Sequence, residues 1–172
     1  SDTGLGTVGG IDSSLWSFWQ NKVQSAAAPL QGGAGVTMSA TTIESQMLNL
    51  WLALVRGDDN PDLLLFDNNY FQMYESSQVS IKRYASSDKA DGGFASLKYK
   101  GADVIFDGGS GIPANHGYFL NTDYLGLTVH KDADLETMDQ MRPYNQDAAV
   151  IPILWMGNLT CSNRSLQGVM KA

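Results

Sequence analysis

Leu97-Lys98-Tyr99-Lys100-Gly101-Ala102-Asp103-Val104-Ile105-Phe106 reads as strand, turn, strand, and this stretch sets the class of the fold. Gly101 marks the turn, since glycine punctuates chains where the backbone must reverse. Ala102 to Phe106 is the core strand. Moving outward toward the C-terminus, Asp107 to Gly111 is a sharp glycine-rich loop. Gly117 to Asn121 and Leu125 to His130 read as two more strands around a Thr122-Asp123 turn. Asp132 to Asp139 is acidic and reads as a short helix or a loop. Ala148 to Met156 and Leu159 to Met170 read as long closing strands.

Outward toward the N-terminus, the clearest element is a helix over Thr41 to Arg56. Ile43, Met47, Leu50, Trp51, Leu54 and Val55 repeat at helical spacing. Thr41 and Glu44 have the capping-box spacing, and Gly57 suits a left-handed stop. Pro61 precedes the apolar run Leu63-Leu64-Leu65-Phe66, whose length and flanks indicate a strand. Asp67 can cap a second helix from Asn68 to Ser77. Ile81 to Tyr84 reads as a strand, and Ser86 to Gly93 as a polar loop. Residues 1–9 are glycine-rich and read as a flexible lead-in. Ile11 to Val23 reads as extended and aromatic-rich, and Ser25 to Gly35 as a connector. The order gives an α+β class, a mixed sheet flanked by helices.

The 172 residues are 43% apolar, enough for a sizeable core. Charged residues make up 17%, below the usual quarter. A charge-poor surface suits a protein that covers itself with partners, because interface cores are depleted of charge. The formal net charge is −7, and the eleven Lys and Arg are scattered. Sequence-independent nucleic-acid binding needs clustered cations, so this region is expected to make no direct nucleic-acid contact. Cys161 is the single cysteine and cannot close an intrachain disulfide. No apolar stretch reaches about 18 residues and no signal peptide is visible, so no membrane partner is expected. The chain starts with Ser1 rather than Met and reads as an engineered form, a processed product or a fragment.

Chemical motifs are weak throughout. Gly4-Leu5-Gly6-Thr7-Val8-Gly9 matches the dinucleotide fingerprint in letters, yet the strand before it and the helix after it are not foreseen. Gly108-Gly109-Ser110-Gly111 lacks the final glycine of a nucleophile elbow, which here is Ile112. His116 and His130 have no second ligand at a metal-binding spacing. Asp132, Asp134 and Glu136 lack the glycine and terminal glutamate of a calcium loop. Asp103, Asp107 and Asp123 read as turns and strand ends rather than an acid–base pair. The sequons at Asn158 and Asn163 are common by chance. Trp16, Phe18, Trp19 and Trp155 read first as core and second as anchors for a neighbouring subunit. No catalytic, cofactor-binding or metal-binding residue is expected, and no cofactor. The leading enzymatic alternative is a small acidic hydrolase built on Ser110 with His116 or His130.

Gly9-Gly10-Ile11-Asp12-Ser13-Ser14 leads to Trp16-Ser17-Phe18-Trp19-Gln20-Asn21, and Thr42-Ile43-Glu44 to Pro61-Asp62-Leu63-Leu64-Leu65-Phe66. Leu97-Lys98-Tyr99-Lys100-Gly101-Ala102-Asp103-Val104 is followed by Ile112-Pro113-Ala114-Asn115 and by Tyr118-Phe119-Leu120-Asn121-Thr122-Asp123-Tyr124-Leu125. In this order the sequence resembles the major capsid proteins of tailed bacteriophages with the Hong Kong 97-type fold. The resemblance implies an axial domain at 36–143, with peripheral segments at 10–35 and 144–172. The first flank is expected to lie beside the last. It further implies a virion shell subunit assembled in a bacterial host, forming hexamers and pentamers around DNA. Its partners would be copies of itself, with scaffold and portal proteins. The family's N-terminal arm, extended loop and spine helix have no counterpart in the sequence. A related encapsulating shell for protein cargo shares the implied fold.

Overall fold

The structure, a computed structural model, describes residues 3–82, 97–108 and 111–172. The chain forms two compact units, Ser1–Tyr124 with Asn163–Ala172, and Leu125–Ser162.

In the first unit, β1 (Thr7–Val8) and β2 (Ile11–Asp12) make an antiparallel hairpin. Its turn is Gly9-Gly10, both at positive φ (61° and 78°), the geometry in which a two-residue hairpin turn follows strand twist. Next come β3 (Lys22–Ser25) and α1 (Ile43–Leu54), then β4 (Leu63–Phe66) and α2 (Asn68–Lys82). The hairpin quoted above is β5 (Leu97–Tyr99) and β6 (Ala102–Phe106), turning at Lys100 (φ 49°) and Gly101 (φ 93°). After β7 (His116–Leu120) the chain runs through β8 (Leu125–Val129), β9 (Glu136–Thr137), β10 (Ile153–Leu154) and β11 (Gly157–Cys161) of the second unit. It returns to the first unit as β12 (Gly168–Lys171).

One six-stranded mixed sheet organises the first unit, in the order β3-β12-β7-β4-β6-β5. β12 runs parallel to β3 and antiparallel to β7, so the first flank does lie beside the last. β4 is antiparallel to β7 and parallel to β6. Leu64 and Phe66, Ala102 and Val104, Phe119 and Met170 alternate along their strands and share one face. On that face they meet Ile43, Met47, Leu50, Trp51 and Leu54 of α1 and Tyr70 and Tyr74 of α2. The helical spacing read from the sequence is thus the buried stripe of α1.

Several local expectations are corrected. The Thr41–Glu44 capping box does not form, and no side chain caps α1. The Glu44 carboxylate instead accepts from Ser77 Oγ at 3.0 Å and Gln78 Nε2 at 2.7 Å on α2. Ile81 and Lys82 close α2 rather than opening a strand. The remainder of that expected strand, and the polar loop Ser86 to Gly93, lie outside the described residues. The long strands at 148–156 and 159–170 are broken. The first keeps only β10, and the second is split by a turn of 3-10 helix at Arg164–Leu166. Asp132 to Asp139 forms no helix, only a loop and β9.

Gly4 and Gly6 of the glycine-rich lead-in are held by hydrogen bonds. Arg164 is 5% exposed and donates to the Gly6 carbonyl at 3.0 Å, the Asn21 Oδ1 at 2.8 Å, and more distantly the Gly4 carbonyl and Ser13 Oγ. A buried guanidinium needs its five donors satisfied. Wrapping the first hairpin around it satisfies several of them.

Candidate assembly surface

The residues that could have carried chemistry are dispersed. In the first unit, His116 Nδ1 lies 2.9 Å from the Ala114 carbonyl, and the Asp107 carboxylate accepts from the Ile112 N–H at 3.1 Å. Asp103 pairs with Lys98 at 3.3 Å, both ends exposed. Asp123 sits in a 3-10 turn. In the second unit, His130 Nδ1 accepts from the Asp132 N–H at 3.2 Å, and Cys161 is half-buried on β11. Ser110 lies outside the described residues. Gly4 to Gly9 lead into a hairpin and not a helix, so no helix end faces a pyrophosphate. Asn163 Oδ1 accepts from the Ser165 N–H and hydroxyl, capping a 3-10 turn. Among the described residues no three His, Cys, Asp or Glu side chains come together as a metal site.

The raised tyrosines Tyr70, Tyr74 and Tyr99 belong to the core or pack against it. Burial first, then the Asp67 charge, pushes the Tyr70 phenol up to about 12. Burial, helped by Tyr74 and Glu44, does the same for Tyr99, and burial with Glu44 raises Tyr74. A hydrogen bond to Asp59 raises Tyr124. All four are held neutral, which is packing chemistry and not acid–base poise.

The feature that stands out is surface. The second unit consists of two antiparallel ribbons, β8 with β11 and β9 with β10. They are tied by backbone bonds from His130 to Met156 and from Met156 to Ala133, each 2.8 Å. Ala133 is its one buried hydrophobic residue. Leu127 and Leu159 stand directly opposite in register, 64% and 68% exposed. Leu135, Ile151, Ile153 and Met156 are likewise mostly in water. Two-stranded ribbons without a packed face are marginal alone. Contiguous exposed apolar surface on this scale is uncommon on a protein that stays alone. On the first unit Trp16 and Phe18 are 56% and 64% exposed, their rings 6.1 Å apart, while Trp19 is buried with its indole N–H on the Val8 carbonyl. The aromatic cluster read as core is therefore core only at Trp19. Trp155, at 45% exposure, is also outside it.

The sequence drew attention to these apolar residues but not to their exposure, because an apolar alternation looks the same whether its cover is the same chain or another. Comparison with known proteins gives one line of support. No protein-family model matches the sequence, and no curated protein matches it. Among solved structures, the chain is similar to the capsid asymmetric unit of cyanophage A-1(L), with a TM-score of 0.64 at 15% identity. The match covers 98% of this chain and 56% of that one, so the chain spans a little over half the capsid chain. The fold is therefore the mixed α+β sheet with helices of the Hong Kong 97-type capsid architecture.

Proposed function

We propose that this chain is the sheet-bearing part of a shell subunit from a tailed bacteriophage or prophage head, a building block and not an enzyme. The observation that carries the reading is a folded unit, residues 125–162, with one buried hydrophobic residue and many exposed large apolar side chains. The fold match to a phage capsid chain, over 98% of this chain and 56% of that one, supports it. In this reading residues 36–143 are the axial domain. Residues 10–35 and 144–172 are the peripheral segments, which meet where β12 pairs with β3. Partners are other copies of the subunit, arranged as hexamers and pentamers, with scaffold and portal proteins during assembly in a bacterial host. Contacts between different patches on successive copies close into rings, as such a shell requires.

Sedimentation velocity over a range of concentrations tests the reading, with electron microscopy of the associated material. The chain is expected to associate as concentration rises. Replacing Ile153 and Leu159 by serine is expected to abolish association while leaving the far-ultraviolet spectrum unchanged. A monomer at every concentration, indifferent to both substitutions, overturns it.

A further inference from the structure

We infer that residues 163–172 are a latch, and that the first hairpin and β3 open and close with them as one body. The inference goes beyond the shell reading and does not depend on it. Among the described residues β3 has one neighbour in the sheet, β12. The Lys22 N–H donates to the Gln167 carbonyl at 3.1 Å, and the Ala26 N–H to the Lys171 carbonyl at 2.9 Å. Arg164, seated on the Gly4, Gly6 and Asn21 acceptors, fastens the hairpin to the same ten residues. The hairpin is closed on itself and runs on into β3. Ser13 Oγ donates to the Gly4 and Gly6 carbonyls, at 3.1 and 3.0 Å, and Gln20 Nε2 to the Ser13 carbonyl at 2.9 Å.

The same ten residues are anchored on their other side. β12 is antiparallel to β7, and the Gln167 side chain accepts from the Asn121 N–H at 3.0 Å and donates to its carbonyl at 3.1 Å. Leu166, Val169 and Met170 are buried. The latch thus stands between β7 and the body that runs from Gly4 to Ala26. β3 also meets α1, through the buried bond from Gln24 Nε2 to Gln46 Oε1 at 2.5 Å. One side-chain bond does not replace a ladder, because a strand without a neighbour leaves its backbone groups unpaired. Closed, the body holds the exposed Trp16 and Phe18 on a fixed platform. Open, it frees them and bares the β7 edge to another strand.

The test is hydrogen exchange with mass spectrometry on the full chain and two single variants. Val169→Ala loosens the latch, and Trp19→Phe loosens the hairpin by removing its indole bond to the Val8 carbonyl. In the unaltered chain the slowest amides of residues 4–26 and 163–172 are expected to exchange within about threefold of each other, and faster than those of α2, β4 and β6. Each variant should speed both segments together, by about tenfold for Val169→Ala and less for Trp19→Phe, with α2, β4 and β6 unchanged. Val169→Ala speeding residues 163–172 alone, Trp19→Phe speeding the hairpin alone, or either variant speeding every element alike overturns the inference. Association through residues 125–162 is read by sedimentation, so the shell reading can survive this failure.

Discussion

Asp67 is 6% exposed and works in two directions. One carboxylate oxygen accepts from the Tyr70 N–H at 3.0 Å, capping α2, and the other accepts from the Asn115 N–H at 2.7 Å, fixing the turn before β7. Asp67→Ala is expected to lower stability by about 2 kcal/mol, above the usual single cap because a second buried donor loses its acceptor. Denaturant unfolding measures it. The cap was legible in the sequence because it reaches three residues. The bond to Asn115 was not, because it reaches forty-eight. The same contrast explains Glu44, drawn from its local role by Ser77 and Gln78. Tyr70 offers a second test. Its hydroxyl is buried with no hydrogen-bond partner among the described residues. Tyr70→Phe is therefore expected to stabilise by up to about 1 kcal/mol at neutral pH. Tyr70 and Tyr99 are both raised to about 12 from an ordinary 10.0. The unfolded chain thus loses these protons first, so their contribution is whole below pH 10 and lost as pH rises toward 12. In Tyr70→Phe this alkaline loss should be smaller, read from pH-dependent unfolding.

At the scale of elements, neighbouring strands of the sheet are fitted to each other through glycine. Gly117 on β7 stands opposite Phe66 on β4, and a Cβ there would lie 2.6 Å from the Phe66 ring. That ring is fully buried, 6.0 Å from Phe119 and 6.4 Å from Tyr74, so it has nowhere to move. Gly117→Ala should cost about 1–3 kcal/mol. Gly126→Ala on β8 is the control, since its Cβ would meet nothing closer than Thr160 Oγ1 at 3.5 Å. Thermal unfolding of the pair tests whether packing, rather than glycine removal as such, sets the cost. Element type was readable wherever the pattern was periodic and bounded, as in α1, β4 and the β5–β6 hairpin. It failed at 159–170, where the buried Arg164 breaks a strand-like run to hold a hairpin more than 150 residues earlier in the chain. Nothing local announces that arginine's burial.

At the scale of the whole molecule, the two units differ in what holds them. The first has α1, α2 and the six-stranded sheet around a common core. The second has backbone ladders and one buried hydrophobic residue. Local stability follows buried apolar contact, so the two should open at very different free energies. In dilute solution, amides in β8–β11 are expected to exchange at least a hundredfold faster than those of α1, β4 and β7, a gap of about 3 kcal/mol. Hydrogen exchange with mass spectrometry resolves both sets in one experiment. Raising the concentration until the chain associates should slow exchange in residues 125–162 and leave the sheet unchanged, because association covers the ribbons and adds nothing to a core already dry. Uniform protection across both units would mean that the ribbons are stable alone, and their exposed leucines and isoleucines would then not need a partner.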